Sequence, residues 1–171
     1  FGKAAHLQRK QHVAGRGHVR EQRIVLKHHA DVALVRLAVN EVAAVELGNI
    51  MGARVIACAS SDEKLAFARK HGSDVGINYS SDDLKDALRR VTDGKGVDVI
   101  YDPVGGPYTE PALRSIAWEG RFLVIGFAAG EIPKLPLNLV LLKGCDVLGV
   151  FWGAFIERDP AGHRANTEQL L

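Results

Sequence analysis

Residues 54–78 read RVIACASSDEKLAFARKHGSDVGIN, and this stretch decides the fold class. It begins with an apolar run, 54–59, of the kind that forms a strand buried on both faces of a parallel sheet. A helical pattern follows, which we expect Gly72 to end. A second short strand is predicted at 74–78. A strand, a helix and a strand in this order indicate a βαβ unit, whose crossover is right-handed.

Two interpretations fit the polar residues that follow the first of these strands. Ser60 and Glu63 have the capping-box spacing, so Ser60 would cap the helix and Lys64 would be a solvated helix residue. Alternatively, Ser60 and Lys64 together form a ligand site. NAD-preferring sites usually place a carboxylate at the end of the second strand, to bind the ribose 2′-hydroxyl. Because this strand ends in Ala59 and Ser60, a hydroxyl and a cation there favour the extra phosphate of NADP(H).

The alternation of strands and helices continues outward from this unit. Further helices are predicted at 42–51, 82–91 and 108–118, and further strands at 97–101, 121–125 and 147–150. This pattern predicts an α/β fold, a Rossmann-type doubly wound parallel sheet. Ligands of such sheets bind beyond the carboxyl ends of the strands, so the residues that follow each strand are the candidate site.

The composition excludes several classes of protein. The chain has 171 residues, of which 47% are hydrophobic and 25% charged, as in an ordinary single globular domain. No apolar run reaches the roughly 18–20 residues of a membrane-spanning helix. The two cysteines, Cys58 and Cys145, are too few for a disulfide framework or a four-thiolate zinc site. We therefore expect a cytoplasmic protein with no metal and no membrane partner.

The first 37 residues differ from the rest in charge. Residues 1–37 hold eight lysines and arginines, two acidic residues and five of the seven histidines. A nucleic-acid-binding arm is one interpretation, but no aromatic residue follows Phe1 there and no nucleic-acid motif is present. A metal site is another, but the histidine spacings match no usual ligand pattern. We expect an atypical arm, disordered or non-native, followed by a Rossmann domain at 38–155 and a return segment, toward a further domain, at 156–171.

Four blocks of the sequence together resemble one known family. They read GARVIACASSDEKLAFARKHGSDVGINY (52–79), GKGVDVIYDPVGG (94–106), ALRSIAWEGRFLVIGFAAGEIPKLPLNLVLLKG (112–144) and VLGVFWGAF (147–155). They are similar to the nucleotide-binding domain of zinc-free medium-chain reductases, the NADPH:quinone oxidoreductases. The resemblance runs from about residue 42 to the end of the chain, and the blocks are far more specific together than one glycine motif.

The resemblance implies a set of cofactor-binding residues. In that family, the lysine matching Lys64 and the tyrosine matching Tyr79 hold the adenosine 2′-phosphate, with the serine matching Ser60 beside them. The remaining implied residues border the cofactor or pass its nicotinamide, and they are Val104, Ile125, Gly126, Phe127, Phe151, Trp152 and Gly153. For Phe151 and Trp152, packing in the core or at a domain interface is the alternative. The implied cofactor is NADPH.

The resemblance fails at the first Rossmann turn. That turn is glycine-rich in the family, of the form GAAGGVG, so that backbone N–H groups can approach the pyrophosphate. The matching residues, 35–41, read VRLAVNE and contain no glycine. Branched side chains would crowd the phosphates there, and Glu41 would repel them. We therefore expect a sheet that is incomplete at its first strand, unless the apolar residues 31–34 supply that strand.

Three functions of different classes remain open. The resemblance implies an oxidoreductase that transfers hydride from NADPH to a quinone or an α,β-unsaturated carbonyl. Such an enzyme relies mainly on positioning, and we assign no catalytic residue. The second is a non-catalytic dinucleotide-binding or interaction module. The third is a relative of enoyl reductases or zinc-dependent alcohol dehydrogenases, although the chain lacks a four-cysteine block. We expect a small-molecule substrate, no nucleic-acid partner and a homodimer.

We predict that this chain alone binds NADPH weakly or not at all. Unit charges about 4 Å apart repel by roughly 4 kcal/mol at an effective dielectric near 20, which corresponds to about a thousandfold loss of affinity. Isothermal titration calorimetry measures this directly. Micromolar binding would contradict the prediction.

Overall fold

The computed structural model describes residues 30–35 and 42–170. In chain order the strands are β1 (Asp31–Val35), β2 (Arg54–Ala59), β3 (Val75–Asn78), β4 (Val97–Asp102), β5 (Ile116–Val124) and β6 (Asp146–Gly149). The helices are α1 (Val42–Ile50), α2 (Asp62–Lys70), α3 (Leu84–Val91), α4 (Thr109–Arg114), α5 (Leu137–Lys143), α6 (Trp152–Arg158) and α7 (Pro160–Leu170). A single 3₁₀ turn, Gly106–Tyr108, precedes α4. Helices therefore connect successive strands, as the sequence predicts.

The six strands form one parallel sheet in the order β3-β2-β1-β4-β5-β6. The chain runs from β1 outward to β3 and then returns to β4 on the other side of β1. This order confirms the predicted Rossmann-type doubly wound sheet. β1 pairs with both β2 and β4, so the expected gap at the first strand is not found. Residues 31–34 supply the strand, although the sequence placed them in an N-terminal basic arm; residues 1–29 lie outside the described residues.

Two helical layers bury the two faces of the sheet. On one face, Leu65 and Ala68 of α2 pack with alternate residues of β2, Val55 and Ala57. On the other face, Ile56 and Cys58 of β2 pack among residues of α3, α4 and α5, including Leu88, Leu113 and Leu139. Because successive side chains of a strand point to opposite faces, the uninterrupted apolar run of β2 is what a strand covered on both sides requires.

Helix α3 has the apolar stripe that the sequence predicts. Leu84, Ala87 and Leu88 are buried, while Val91 is half-buried against the same core cluster. Its N-terminus is capped by Asp83, whose side chain accepts a hydrogen bond of 2.9 Å from the backbone N–H of Asp86. The cap satisfies one of the first helical N–H groups, which have no partner within the helix.

The cap of α2 is not the serine that the capping-box spacing indicates. The N-cap is Ser61, whose hydroxyl oxygen accepts a hydrogen bond of 3.4 Å from the backbone N–H of Lys64. The prediction that Ser60 caps this helix was wrong, because the helix begins one residue later, at Asp62. As a result, the hydroxyl of Ser60 is available for other contacts.

The boundary between α4 and β5 also differs from the prediction. Helix α4 ends at Arg114, and β5 begins at Ile116, where the sequence predicts that a helix continues to 118. Ile116, the first residue of β5, pairs with Val97, the first residue of β4, and it is fully buried there. The register then shifts, and Glu119 adopts a positive φ of 61° as the strand bulges. The apolar residues at 116–118 fit the helical pattern equally well, so periodicity alone misplaced the boundary.

The sequence indicates only an apolar stretch where the structure has α5. This helix spans Leu137–Lys143 and ends at Gly144, which adopts the left-handed conformation that glycine favours at helix ends. Among the helices of residues 42–170, none has both the length and the apolar character needed to span a membrane.

A pair of glycines between α3 and β4 gives a direct test of the packing. At Gly96 (φ +85°), an added Cβ would lie 2.8 Å from backbone atoms of residues 115, 116 and 117, whereas at Gly94 (φ +77°) it would meet nothing within 4 Å. Gly96→Ala should therefore lower the free energy of unfolding by about 3 kcal/mol, which combines backbone strain with a clash. Gly94→Ala should lower it by about 1 kcal/mol, because only the strain applies. Urea denaturation measures both, and equal losses would contradict this account.

Candidate functional site

All of the predicted cofactor-binding residues lie at one edge of the sheet. Because the strands are parallel, their carboxyl ends meet there, and we call it the carboxyl edge. Ser60 follows β2, Tyr79 follows β3 and Val104 follows β4. Residues 125–127 follow β5, residues 151–153 follow β6 closely, and Lys64 lies in the first turn of α2. The connections diverge from β1 in opposite directions, so the strand order switches between β1 and β4, and dinucleotides bind at such a switch point in sheets of this kind.

Ser60 and Lys64 form one polar group at the end of β2. The ammonium nitrogen (Nζ) of Lys64 donates a hydrogen bond of 3.3 Å to the hydroxyl oxygen (Oγ) of Ser60. Ser80 ties the end of β3 to the same place, because its hydroxyl donates to the backbone carbonyl of Ser60 at 2.9 Å. The side chain of Lys64 thus turns back toward the strand end, as the second interpretation of the sequence requires. A cation and hydroxyls at this position can bind a phosphate.

The backbone of Tyr79 lies at this edge, but its ring does not. Its backbone N–H donates to the carbonyl of Ala59 at 3.0 Å, which fixes it beside the end of β2. The ring, however, is 7% exposed and stacks on Tyr108, with ring centroids 4.4 Å apart. It belongs to the core cluster on the α3 and α4 face, whereas α2, which carries Lys64, packs on the opposite face. The phenol can contact a phosphate beside Lys64 only after the ring moves.

The turn after β4 depends on one buried carboxylate. Asp102 accepts hydrogen bonds from the backbone N–H groups of Val104 (3.0 Å) and Gly105 (2.9 Å), and from the hydroxyl of Thr109 (2.8 Å). The three donors satisfy a side chain that is only 2% exposed. This role is not predicted above, although the carboxylate stands in the quoted block at 94–106, immediately before the Pro-Val-Gly-Gly turn.

Backbone hydrogen bonds join this turn to the segment after β5. The N–H of Ile125 donates to the carbonyl of Asp102 at 3.0 Å, and the N–H of Ala129 donates to the carbonyl of Val104 at 2.9 Å. A Cβ added at Gly126 would lie 3.1 Å from the carbonyl oxygen of Pro103, so a side chain there would push the two segments apart. Two segments that the sequence assigns to the cofactor are therefore in direct contact.

The aromatic residues at the ends of β5 and β6 are exposed. Phe151 is 79% exposed and Trp152 64%, so core packing does not account for them. Trp152 makes an edge contact with His163 of α7, at 5.9 Å between ring centroids. Phe127, after β5, is also exposed. These rings give the β5–β6 half of the carboxyl edge an apolar surface.

One sequence interpretation falls outside the described residues. The glycine-free segment that replaces the first Rossmann turn occupies residues 35–41, and the structure describes only Val35, the last residue of β1. The crowding and repulsion expected from Val39 and Glu41 therefore stay predictions from the sequence.

A zinc site does not fit the residues that the structure describes. Within 30–35 and 42–170, no group of three or more histidine, cysteine, aspartate or glutamate side chains could hold a metal ion. Burial raises the pKa of the Cys58 thiol to about 12. Burial also raises the pKa of Cys145.

The comparison with protein families agrees with this fold. The family model described as zinc-binding dehydrogenase matches residues 42–165. The chain belongs to the zinc-binding dehydrogenase family. The match covers α1 and every later strand of the sheet, so it includes each of the predicted cofactor-binding residues.

Relatives within the family include oxidoreductases. The rat (Rattus norvegicus) quinone oxidoreductase-like protein 2 is 46% identical over 111 residues, which cover 65% of this chain and 32% of that protein. The Escherichia coli quinone oxidoreductase complexed with NADPH superposes with a TM-score of 0.68 at 26% identity, over 78% of this chain and 42% of that one. A structure described as an NAD-dependent alcohol dehydrogenase is 36% identical, with a TM-score of 0.65, over 71% of this chain and 36% of that one.

These comparisons confirm the resemblance to quinone oxidoreductases. They also show how much of a relative is matched: this chain spans about a third of the length of the rat protein. What the whole relatives act on is therefore not established for this chain by likeness alone.

The carboxylate of Asp102 provides a test of the site's construction. Asp102→Ala leaves three buried donors without their acceptor, so the free energy of unfolding should fall by about 3 kcal/mol or more. Thr109→Val removes one donor and keeps the shape, and should cost about 1–2 kcal/mol. Thr167→Val is the matched control, because its hydroxyl donates to the His163 carbonyl on an exposed helix face. The account fails if Asp102→Ala costs no more than Thr109→Val.

Proposed function

We propose that this chain forms the nicotinamide-cofactor domain of an oxidoreductase that transfers hydride from NADPH to a quinone or an α,β-unsaturated carbonyl. The observation that carries the proposal is the Ser60–Lys64 pair at the end of β2, with no carboxylate at that strand end. It lies at the same edge as the turn after β4 and the aromatic residues after β5 and β6.

The choice of NADPH over NADH rests on the chemistry of that pair. An acidic residue at the end of the second strand binds the free ribose 2′-hydroxyl of NAD, and it would repel a 2′-phosphate. Here the strand end offers an ammonium group 3.3 Å from a hydroxyl, which suits a phosphate. The acidic residue nearest in sequence, Asp62, has its carboxylate bound to the side-chain amide of Asn78 at 2.9 Å. The E. coli quinone oxidoreductase described as complexed with NADPH supports this choice, and the NAD-dependent neighbour makes a direct test necessary.

The remaining residues of the edge would position the nicotinamide end. When bound, the cofactor supplies the hydride. The turn that Asp102 holds brings Pro103 against Gly126, where the absence of a side chain lets the two segments approach, and joins Val104 to Ala129 by a backbone hydrogen bond. Phe127, Phe151 and Trp152 would give an apolar wall to a flat conjugated substrate and exclude water from it. Because the described part of this edge holds no matched acid and base, we expect protons to come from solvent and catalysis to rest on positioning.

A non-catalytic dinucleotide-binding or interaction module is the second candidate. The glycine-free sequence VRLAVNE at 35–41 favours it, since backbone N–H groups could not approach a pyrophosphate as they do in a glycine-rich turn. An assay of NADPH-dependent quinone reduction separates the two candidates, because only the enzyme oxidises NADPH when quinone is added.

The cellular setting is proposed on the cysteines. Cys58 and Cys145 are both buried free thiols, as in proteins of reducing compartments. We therefore propose a cytoplasmic protein. We also propose, from the resemblance to quinone oxidoreductases and not from the cysteines, a small-molecule substrate and a homodimeric assembly.

The role of Lys64 gives a prediction about cofactor choice. Lys64→Gln should weaken NADPH binding about tenfold or more, because it removes a charged hydrogen bond to the 2′-phosphate, and should leave NADH binding unchanged. Lys70→Gln, in the last turn of the same helix, is the control and should change neither. Nicotinamide fluorescence titrations measure both affinities. Equal weakening of NADPH and NADH would contradict a 2′-phosphate site at Lys64.

Glu41 gives a second, independent test. Removing its charge with Glu41→Gly should tighten the binding of both cofactors, by up to about a thousandfold if the full repulsion at an effective dielectric near 20 is relieved. The same titrations measure the gain, and they make the comparison at Lys64 possible in a background that binds well. No gain would show that Glu41 does not face the phosphates.

A further inference from the structure

A cationic cavity lies at the opposite edge of the sheet, which we call the amino edge. It has a volume of about 290 Å³ and is lined by Lys85, Arg89, Lys95, Arg114, Ser115 and Lys143, together with two glycines. Residues 94–96 lie just before β4, and Ser115 lies just before β5. The six residues of β4 separate this cavity from the carboxyl edge by roughly 20 Å, at about 3.3 Å per residue. The cavity is therefore distinct from the proposed cofactor site.

Hydrogen bonds from backbone groups and from the side chain of Thr92 hold the loop that contributes residues 94–96 to the cavity. The hydroxyl of Thr92 donates to the carbonyl of Leu88 at 2.8 Å and accepts from the N–H of Gly96 at 3.1 Å. The N–H of Gly94 donates to the carbonyl of Arg89 at 2.8 Å. The loop also packs directly on residues 115–117, where only glycine fits at position 96. The backbone of residues 94–96 is thus fixed by the fold, while the lysine and arginine side chains around it are exposed, except Lys143, which is half-buried.

The positive charge of the cavity exceeds what the nearby helix ends require. The C-terminal ends of α3, α4 and α5 meet here, and each carries about half a negative charge from its macrodipole. Arg114 pairs with Glu110, and Lys143 donates to the carbonyl of Ile116 at 3.0 Å. Among the described residues that line the cavity, none is acidic. Five positive charges remain larger in sum than one carboxylate and three half-charges.

Lys85 is placed against the preferences of its own helix, whereas Arg89 lies in the last turn, where the macrodipole favours a cation. They stand four residues apart on α3, and like charges at this spacing destabilise an isolated helix. Lys85 also lies in the first turn, where the macrodipole disfavours a cation. Among the described residues, the salt bridges include neither Lys85, Arg89 nor Lys95. An anion between the two side chains would relieve their mutual repulsion.

We propose that this cavity binds a small soluble molecule through a phosphate or diphosphate group. Arginine and lysine are the side chains that proteins use for phosphate oxygens, and the five cations converge from three helices and a loop on one concavity. The volume of about 290 Å³ lies at the lower end of the range for small-molecule sites, roughly 300–1,000 Å³, which suits a small phosphate ester rather than a large cofactor. The site does not depend on the function proposed for the carboxyl edge.

The test titrates inorganic pyrophosphate into the full chain, with sodium chloride of matched ionic strength as the reference. Isothermal titration calorimetry should show saturable binding, and ¹H–¹⁵N spectra should place the largest shifts at the amides of residues 94–96. Lys85→Gln and Arg89→Gln should each weaken binding about fivefold, the effect of one charge about 4 Å away in a water-like dielectric. Arg90→Gln is the matched control, because Arg90 neighbours Arg89 on the same helix and does not line the cavity; it should leave the affinity unchanged.

Two results would overturn the proposal. The first is the absence of saturable binding beyond the chloride reference, which would assign the cations to the helix ends alone. The second is an equal effect of Arg89→Gln and Arg90→Gln, which would indicate general surface charge. Pyrophosphate could also bind at the carboxyl edge, beside Lys64. Lys64→Gln should weaken binding there and leave the shifts at 94–96 unchanged, so the two binding places are distinguished. Thermal unfolding of each variant verifies that it is folded. If Arg89→Gln does not fold, the comparison of Lys85→Gln with Arg90→Gln tests the proposal.

Discussion

The parallel direction of all six strands is the constraint on which the rest of the molecule depends. Parallel pairing requires each connection to cross from one end of the sheet to the other, so helices cover both faces and β2 and β4 are largely buried, while the edge strand β6 stays mostly exposed. The same constraint gathers all the carboxyl ends at one edge. Residues as distant in sequence as Ser60 and Trp152 become parts of one surface for this reason, without any direct contact between them.

The two edges of the sheet carry different chemistry. At the carboxyl edge, one cation, Lys64, stands apart from exposed aromatic rings, and a buried carboxylate, Asp102, fixes a turn by accepting N–H groups. At the amino edge, helix C-termini and cations meet around a polar concavity. Helices that run antiparallel to the strands necessarily bring their C-termini to the amino ends of those strands. The fold itself therefore tends to collect basic side chains there, and Lys85 departs from that tendency because it lies in a first turn.

Much of the fold could be predicted from the sequence, because its signals are local. The apolar run of β2 and the stripe of α3 are periodic patterns that a short window contains, and β2 was placed at its observed bounds. The start of β5 could not be predicted this way, since residues 116–118 suit a helix or a strand and long-range pairing with Val97 decides between them. For the site, the sequence indicated which residues lie at the carboxyl edge. It could not show that the ring of Tyr79 turns into the core, nor that Asp102 holds the turn, because both depend on packing between distant segments.

The burial of both cysteines lowers the reactivity of their thiols toward the proposed substrates. Quinones and enones are electrophiles, and they alkylate proteins at ionised sulfur. Cys58 lies at the centre of the sheet with its proton retained up to a pH of about 12, and Cys145 is buried beside the same cluster. Burial of both thiols should therefore limit their alkylation by the proposed substrates.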